Sequence, residues 1–253
     1  MIYDLQKATL WKRISAWLFD TILLAIVAVL CAWLISVISG FDGFNAALDE
    51  RYDHYAAEYG VNFRMTLSEY ETMTEEQAQA LDAAYAALGA DEAAVYNYKM
   101  VIQLTLVITS LGILMGYMIM EYLIPMLLKN GQTLGKKIFG IGVMRTEGIR
   151  INGVCLFIRT VLGKYTIETM IPVFILIMIY WGRMGVMGTL ILLALPIAQV
   201  IFMIATKTNS PIHDLLAGTV VIDVASQMIF NTQEDMIAYK QKVHAEKVAR
   251  QPY

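Results

Sequence analysis

Four carboxylates stand where carboxylates are costly. Asp20, Glu121 and Glu168 lie within or against long apolar runs, and Asp214 follows the last of these runs beside His213. Arg13, Arg159 and Lys164 are candidate partners for them. An ionised Asp or Glu in hydrocarbon costs a few kcal/mol even on lenient insertion scales, so each must pair with a cation, be reached by water or hold a proton. Asp20 follows Arg13 by seven residues, about two helical turns or roughly 10 Å along one face. With Arg13 at the headgroup level, Asp20 lies about a third of the way into the hydrocarbon. Two chemistries fit this set. One is a salt-bridge network that holds helices in register. The other is a hydrated site that binds a monovalent cation or exchanges a proton, where burial disfavours the ionised carboxylate and neighbouring arginines favour it.

The elements that must carry these groups are membrane spans. A transmembrane helix needs about 20 mostly apolar residues, and four stretches qualify: Ile14–Ser39, Met100–Leu128, Tyr165–Trp181 and Met184–Thr206. The 253 residues are 58% hydrophobic and 16% charged, against about 45–50% and about 25% in ordinary soluble domains. That composition excludes a disordered or nucleic-acid-coating chain and fits a water-soluble enzyme poorly. The first stretch is too long for a signal-peptide core and lacks a small-x-small cleavage pattern. Cys31 and Cys155 sit in apolar runs, and His54, His213 and His244 have no metal-ligand spacing. No Walker loop, GxGxxG or nucleophile motif is present. The expectation is a non-enzyme without cofactor or metal.

Charge placement sets orientation, because cytoplasmic loops are rich in Lys and Arg. Fifteen of the 19 basic residues fall before the first span, between spans two and three, or after span four. Residues 40–99 hold twelve acidic residues against Arg51, Arg64 and Lys99. Both termini are therefore expected in the cytoplasm, and residues 40–99 outside the plasma membrane. The expected fold is all-α: an integral membrane bundle of four transmembrane helices, with a small extracytoplasmic helical insertion and a cytoplasmic hairpin and interfacial helix. The domain reading is 1–39 for the N-terminus and first span, 40–99 for the acidic insertion, 100–225 for the remaining membrane domain, and 226–253 for a cytoplasmic tail. In the insertion, Thr74-Glu75-Glu76-Gln77 has the capping-box form ahead of an Ala-rich run, which predicts a helix. In loop 129–164, Ile141–Met144 and Arg150-Ile151 flank Thr146-Glu147-Gly148 as a hairpin pattern. Val154–Leu162 reads as a helix lying at the interface. The basic loop, Lys136 and Lys137 included, is expected to favour anionic lipid.

Three motifs also match something known. Trp11 to Asp20, Gly131 to Ile141 and Ile212 to Val221 resemble, in order, the opening, central and closing motifs of the RDD family of membrane proteins. Arg159 falls where that family has an arginine. The resemblance covers residues 10–40 and 100–224, and it implies that Arg13, Asp20 and Asp214 are the name-giving residues. It also implies a polytopic membrane protein, and some members of the family are linked to sodium/proton antiport. On this basis Arg13, Asp20, Asp214, Glu168, Glu121, Arg159 and His213 form the candidate ion- or proton-binding network. The expected function is monovalent cation/proton antiport. The alternative is a non-transporting membrane scaffold that recruits partner proteins. Four spans are few for a monomeric carrier, and no inverted repeat is visible. A homo-oligomer or partner membrane protein is therefore an expectation too, with Gly112-xxx-Gly116 as a helix-contact motif or as plain intrachain packing.

Overall fold

Residues 10–39 contain no proline and no glycine and, apart from Lys12, Arg13 and Asp20, no charged residue, so nothing interrupts the helix until Gly40, which takes a left-handed conformation with φ 67°. The helix Leu10–Ser39 is 30 residues long, about 45 Å at the α-helical rise. That exceeds the roughly 30 Å hydrocarbon core. The computed structural model describes residues 5–128, 130–180 and 182–249, the side chains of 247 and 249 excepted. Lys129, Trp181 and Arg250, which the sequence reading used, lie outside them.

Three more helices are long and apolar enough to cross a membrane: Glu92–Leu127, Gly153–Tyr180 and Gly185–Ala205. Large apolar side chains stand exposed along them and along the first, Trp17, Val29, Ile38, Val186 and Ile204 among them. In water such a surface would drive aggregation; against lipid it is the ordinary outer face. The protein is a multi-pass membrane protein built from helices.

The chain divides into two compact units, one of Met1–Val29 with Ile113–Tyr253, the other Leu30–Gly112. In the second unit, Phe41–Tyr59 and Glu75–Ala90 are its main additional helices, with Leu48, Leu81, Ala84, Leu88 and Ala94 buried. Phe63 lies between Tyr52 and Tyr85, with ring centroids 5.2 and 5.0 Å apart. The helix Glu75–Ala90 opens with the capping box that Thr74 and Gln77 spell, and Thr66 with Glu69 makes another. Asp91 then breaks the helix and caps the next, its carboxylate accepting from the amides of Ala93 and Ala94.

In the first unit the two expected loop elements take other forms. Ile141–Arg145 (β1) pairs antiparallel with Thr219–Asp223 (β2), in register from Ile141 opposite Asp223 to Arg145 opposite Thr219. The expected hairpin is present in its shortest form: the turn closes between Arg145 and Ile149, and one antiparallel bridge, Met144 to Arg150, continues it. It goes no further because the next amide on that edge of β1, that of Val143, donates to the Asn130 carbonyl at 3.1 Å, and Asn152 is the N-cap of the next helix, accepting from the Cys155 amide at 2.8 Å. On the other edge β2 brings Val220, Val221 and Ile222 into the apolar clusters on both faces of β1. The interfacial helix expected at 154–162 is corrected, since those residues are the opening turns of Gly153–Tyr180.

Two long helices carry π-helical stretches, Met118–Leu123 and Ile158–Met170. A π turn bonds i to i+5 and leaves local carbonyls in need of partners. Thr160 Oγ1 supplies one, donating to the Glu121 carbonyl at 2.9 Å. The Gly112-xxx-Gly116 motif is spent inside the chain. A Cβ on Gly112 would stand 2.7 Å from Ala32 Cβ, and one on Gly116 would stand 3.0 Å from Ala28 Cβ.

Candidate functional site

Every side chain of the site belongs to the unit formed by residues 1–29 and 113–253. Asp20 lies three turns into the first helix and is 5% exposed. Its partners come from the short helix Leu134–Ile138, whose N-cap is Thr133. Thr133 Oγ1 donates to Asp20 Oδ2, the Gly135 amide donates to Oδ1 at 2.7 Å, and Lys136 Nζ stands 3.9 Å from Oδ2. Gly135 is glycine because the first helix leaves no space: a Cβ would stand 2.5 Å from the Ala16 carbonyl oxygen and 2.8 Å from Asp20 Oδ1. Gly135→Ala should therefore lower stability by about 1–3 kcal/mol, the usual range for overpacking. Gly43→Ala, where a Cβ meets nothing within 4 Å, should not. Thermal unfolding in detergent checks both.

Arg159 is the hub, 2% exposed. Its Nε donates to Asp214 Oδ1 at 2.7 Å, its Nη1 stands 3.6 Å from Glu121 Oε2, and its Nη2 lies 3.2 Å from His213 Nε2. Asp214 is fully buried and also accepts from Thr219 Oγ1 at 2.7 Å. Arg13 reaches the same carboxylate more loosely, its Nη2 3.8 Å from Oδ2, while its Nη1 donates to the Asn209 carbonyl at 2.7 Å. Burial works against the Asp214 carboxylate, but Arg159 and the hydrogen bonds outweigh it and hold the group below the ordinary carboxylate range.

His213 sits between two partners of different kinds. Its Nδ1 is 2.8 Å from Glu168 Oε1, and an arginine can only donate to its Nε2. The proton is therefore on Nδ1, and the ring is neutral. Burial, the largest cause, pushes its pKa down, and Arg159 adds to this against the pull of Asp214 and Glu168. His213 thus orients Glu168 and Arg159 as a neutral spacer.

Glu121 occupies the π turn of the second long helix. Lys164 Nζ donates to its Oε1. Its Oε2 is buried without a hydrogen bond and stands 3.6 Å from both Lys136 Nζ and Arg159 Nη1. Asp214 Oδ2 is also buried without a hydrogen bond. The network gathers four carboxylates (Asp20, Glu121, Glu168, Asp214) and four cations (Arg13, Lys136, Arg159, Lys164), with Glu168 joined through His213, and with His213 neutral it carries no net charge. The weakest-held cation is Lys136. Burial, the largest cause, pushes its pKa down to about 8 against the pull of Glu121 and Asp20. Among the described residues no three of His, Cys, Asp and Glu gather as a metal-binding group.

The three motifs thus converge on one place. A model of the RDD family matches residues 7–218. The chain belongs to the RDD family. In this RDD protein the opening motif supplies Arg13 and Asp20, the central motif clamps Asp20 through Thr133, Gly135 and Lys136, and the closing motif supplies Asp214. No curated protein and no solved structure matched the chain. All seven residues read from sequence as a network lie in this cluster. Arg13, a candidate partner for any of the four carboxylates, faces Asp214, because Asn209 and Asp214 lie on its side of the helix. Lys136, expected at the lipid surface, is buried between Asp20 and Glu121, while Lys137 is exposed. Lys164, a candidate partner from the sequence, joins the cluster, whereas Thr133, Lys136 and Thr219 were missing from the sequence-derived set. The Thr-x-Gly-Lys spacing of the central motif was the available signal for the first two.

Proposed function

We propose that this RDD protein is a monovalent cation/proton antiporter whose exchanging groups are the buried carboxylates around Asp20. The observation that carries this reading is a buried cluster of alternating charges holding two carboxylate oxygens, Glu121 Oε2 and Asp214 Oδ2, that no hydrogen bond satisfies. A purely structural network gains from satisfying every lone pair, since each buried unsatisfied group costs about 1–3 kcal/mol. A site that must exchange its occupant gains from keeping some free.

In this reading both termini face the cytoplasm and residues 40–99 lie outside the plasma membrane. In a background with Cys31 and Cys155 replaced by Ser, cysteines at Ala57 and Ala86 should react with an impermeant maleimide from outside. A cysteine at Gln241 should react only after permeabilisation; external reaction at 241 overturns the orientation.

The function itself is tested in proteoliposomes carrying a pH dye. Vesicles loaded with Na+ and diluted into Na+-free buffer should acidify inside, whereas protein-free vesicles should not. The same test with K+ and Li+ gives the ion preference. No response with any of the three cations would overturn the antiport reading. The second reading, a membrane scaffold, is favoured by the neutral balance of the network and would then stand.

A further inference from the structure

The antiport reading leaves open where the cation sits, and the geometry points to the place that the Lys136 ammonium now fills: a monovalent-cation site made by Asp20, Glu121 and Thr133, with Lys136 as its built-in competitor. This inference rests on the antiport reading for its purpose, though not for its test. Three oxygens surround Nζ. Thr133 Oγ1 is 3.2 Å away, Glu121 Oε2 is 3.6 Å away and Asp20 Oδ2 is 3.9 Å away. The ammonium holds the two carboxylates only loosely, and Glu121 Oε2 is left without any hydrogen bond although Glu121 is 5% exposed. A buried carboxylate oxygen that has ion-pair neighbours but no hydrogen bond, facing a loosely seated cation, is a position that a better-fitting cation can take.

Charge counting supports the same place. The network is neutral only while Lys136 contributes its charge. Take that charge away and one buried negative charge is left over, which a low-dielectric interior does not tolerate unpaired. One monovalent cation restores the balance, and a divalent ion would overshoot it. The groups facing this spot from the packed elements are Asp20 on the first helix, Glu121 on the second, and Arg159 and Lys164 on the third. Arg159 and Lys164 keep their partners Asp214 and Glu121 whether Lys136 is present or not. Lys136 alone is shared between two carboxylates without a direct hydrogen bond to either.

The test replaces the tethered charge with a free one. Lys136→Gln is purified in detergent in NaCl and, separately, in N-methyl-D-glucamine chloride of equal ionic strength, and thermal unfolding is followed. The expected result is a variant that needs sodium. Its Tm should be higher in NaCl than in the organic chloride by roughly 5 °C, the shift that near-saturating binding gives a chain of this size, with a smaller difference in the wild type. Glu121→Gln/Lys136→Gln restores neutrality and should lose the sodium response. An equal Tm of Lys136→Gln in both salts overturns the site, as does failure to fold in both, or a sodium response that survives in the double variant. If wild-type vesicles show no cation-driven proton flux while Lys136→Gln still responds to sodium, the antiport reading fails and the site stands. If flux is present and the sodium response is absent, the site fails alone.

Discussion

Arg159→Met should be the most destabilising single substitution in the network, lowering stability by about 3–5 kcal/mol. At the usual relation for chains of this size, that is a fall in Tm of roughly 10 °C. The physical reason is that one guanidinium serves two acidic partners from different elements, Asp214 on the short helix Ile212–Ala217 and Glu121 on the second long helix. Removing it strands the fully buried Asp214 with only Thr219 and the loosely placed Arg13 and His213, and frees the His213 Nε2 contact as well. Methionine fills most of the space, so the loss reads charge rather than a cavity. Arg159→Met/Asp214→Asn should recover much of the loss, because the desolvated carboxylate is gone. Arg159→Lys should recover little, since an ammonium cannot make the three divergent contacts of the planar fork. Thermal unfolding of the three variants in one detergent is the measurement. A fall in Tm of only a degree or two for Arg159→Met would mean that Arg13 alone suffices for Asp214.

Asp20→Asn should leave a folded protein and abolish cation-coupled proton flux. The side chain keeps its shape. Its amide oxygen can still accept from the Gly135 amide, and its NH2 can donate to Thr133 Oγ1 once that hydroxyl rotates to point elsewhere. The cost is the loss of charge assistance in two hydrogen bonds, about 1–2 kcal/mol, while the surplus positive charge is relieved when Lys136, whose pKa is already pushed down to about 8, gives up its proton. Removing one buried negative charge leaves Lys136 facing Glu121 alone. A cation that must be drawn in against Arg159, Lys164 and Lys136 then has one carboxylate fewer to meet it. Flux in liposomes and unfolding in detergent, measured on the same preparation, read the two effects separately. A stable variant that transports at the wild-type rate would remove Asp20 from the exchange mechanism, and an unfolded one would make it mainly a structural clamp.

Asp20 also shows how far the sequence reaches. Its presence seven residues after Arg13 within an apolar run is enough to mark it as a group in need of a partner, whatever the fold, because the cost of a bare carboxylate in hydrocarbon does not depend on tertiary detail. The partner is a different matter. Arg13 shares roughly the same helix face, and spacing alone leaves it open to Asp20 or Asp214; Asp20 is held by Thr133 and Gly135, more than a hundred residues away. Lys136 shows what spacing misses. In a loop with seven basic residues it reads as one more topology signal. Only the N-cap geometry of Thr133 turns it inward while the adjacent Lys137 stays exposed.

The amino-acid sequence by itself determined the features that depend on neighbours along the chain. These are the four apolar runs long enough to span a bilayer, the helix opened by Thr74 and Gln77, and the placement of acidic residues in 40–99 and of basic ones elsewhere. Three ordered motifs also placed the chain in its family. Each rests on local periodicity, local hydrogen bonding or composition, which a linear reading contains in full. The tertiary structure alone decided which partner each group takes. β1 keeps a single bridge to its neighbour Arg150 and takes the distant Thr219–Asp223 as its main partner, because that apolar strand completes the clusters on both faces. Arg159, read as a network member on an interfacial helix, becomes the centre of the network, because Gly153–Tyr180 is one helix and its π turns carry the side chain between Glu121 and Asp214. Such pairings are settled by packing and by the cost of leaving a buried charge alone. Neither quantity exists until segments distant in sequence have been brought together.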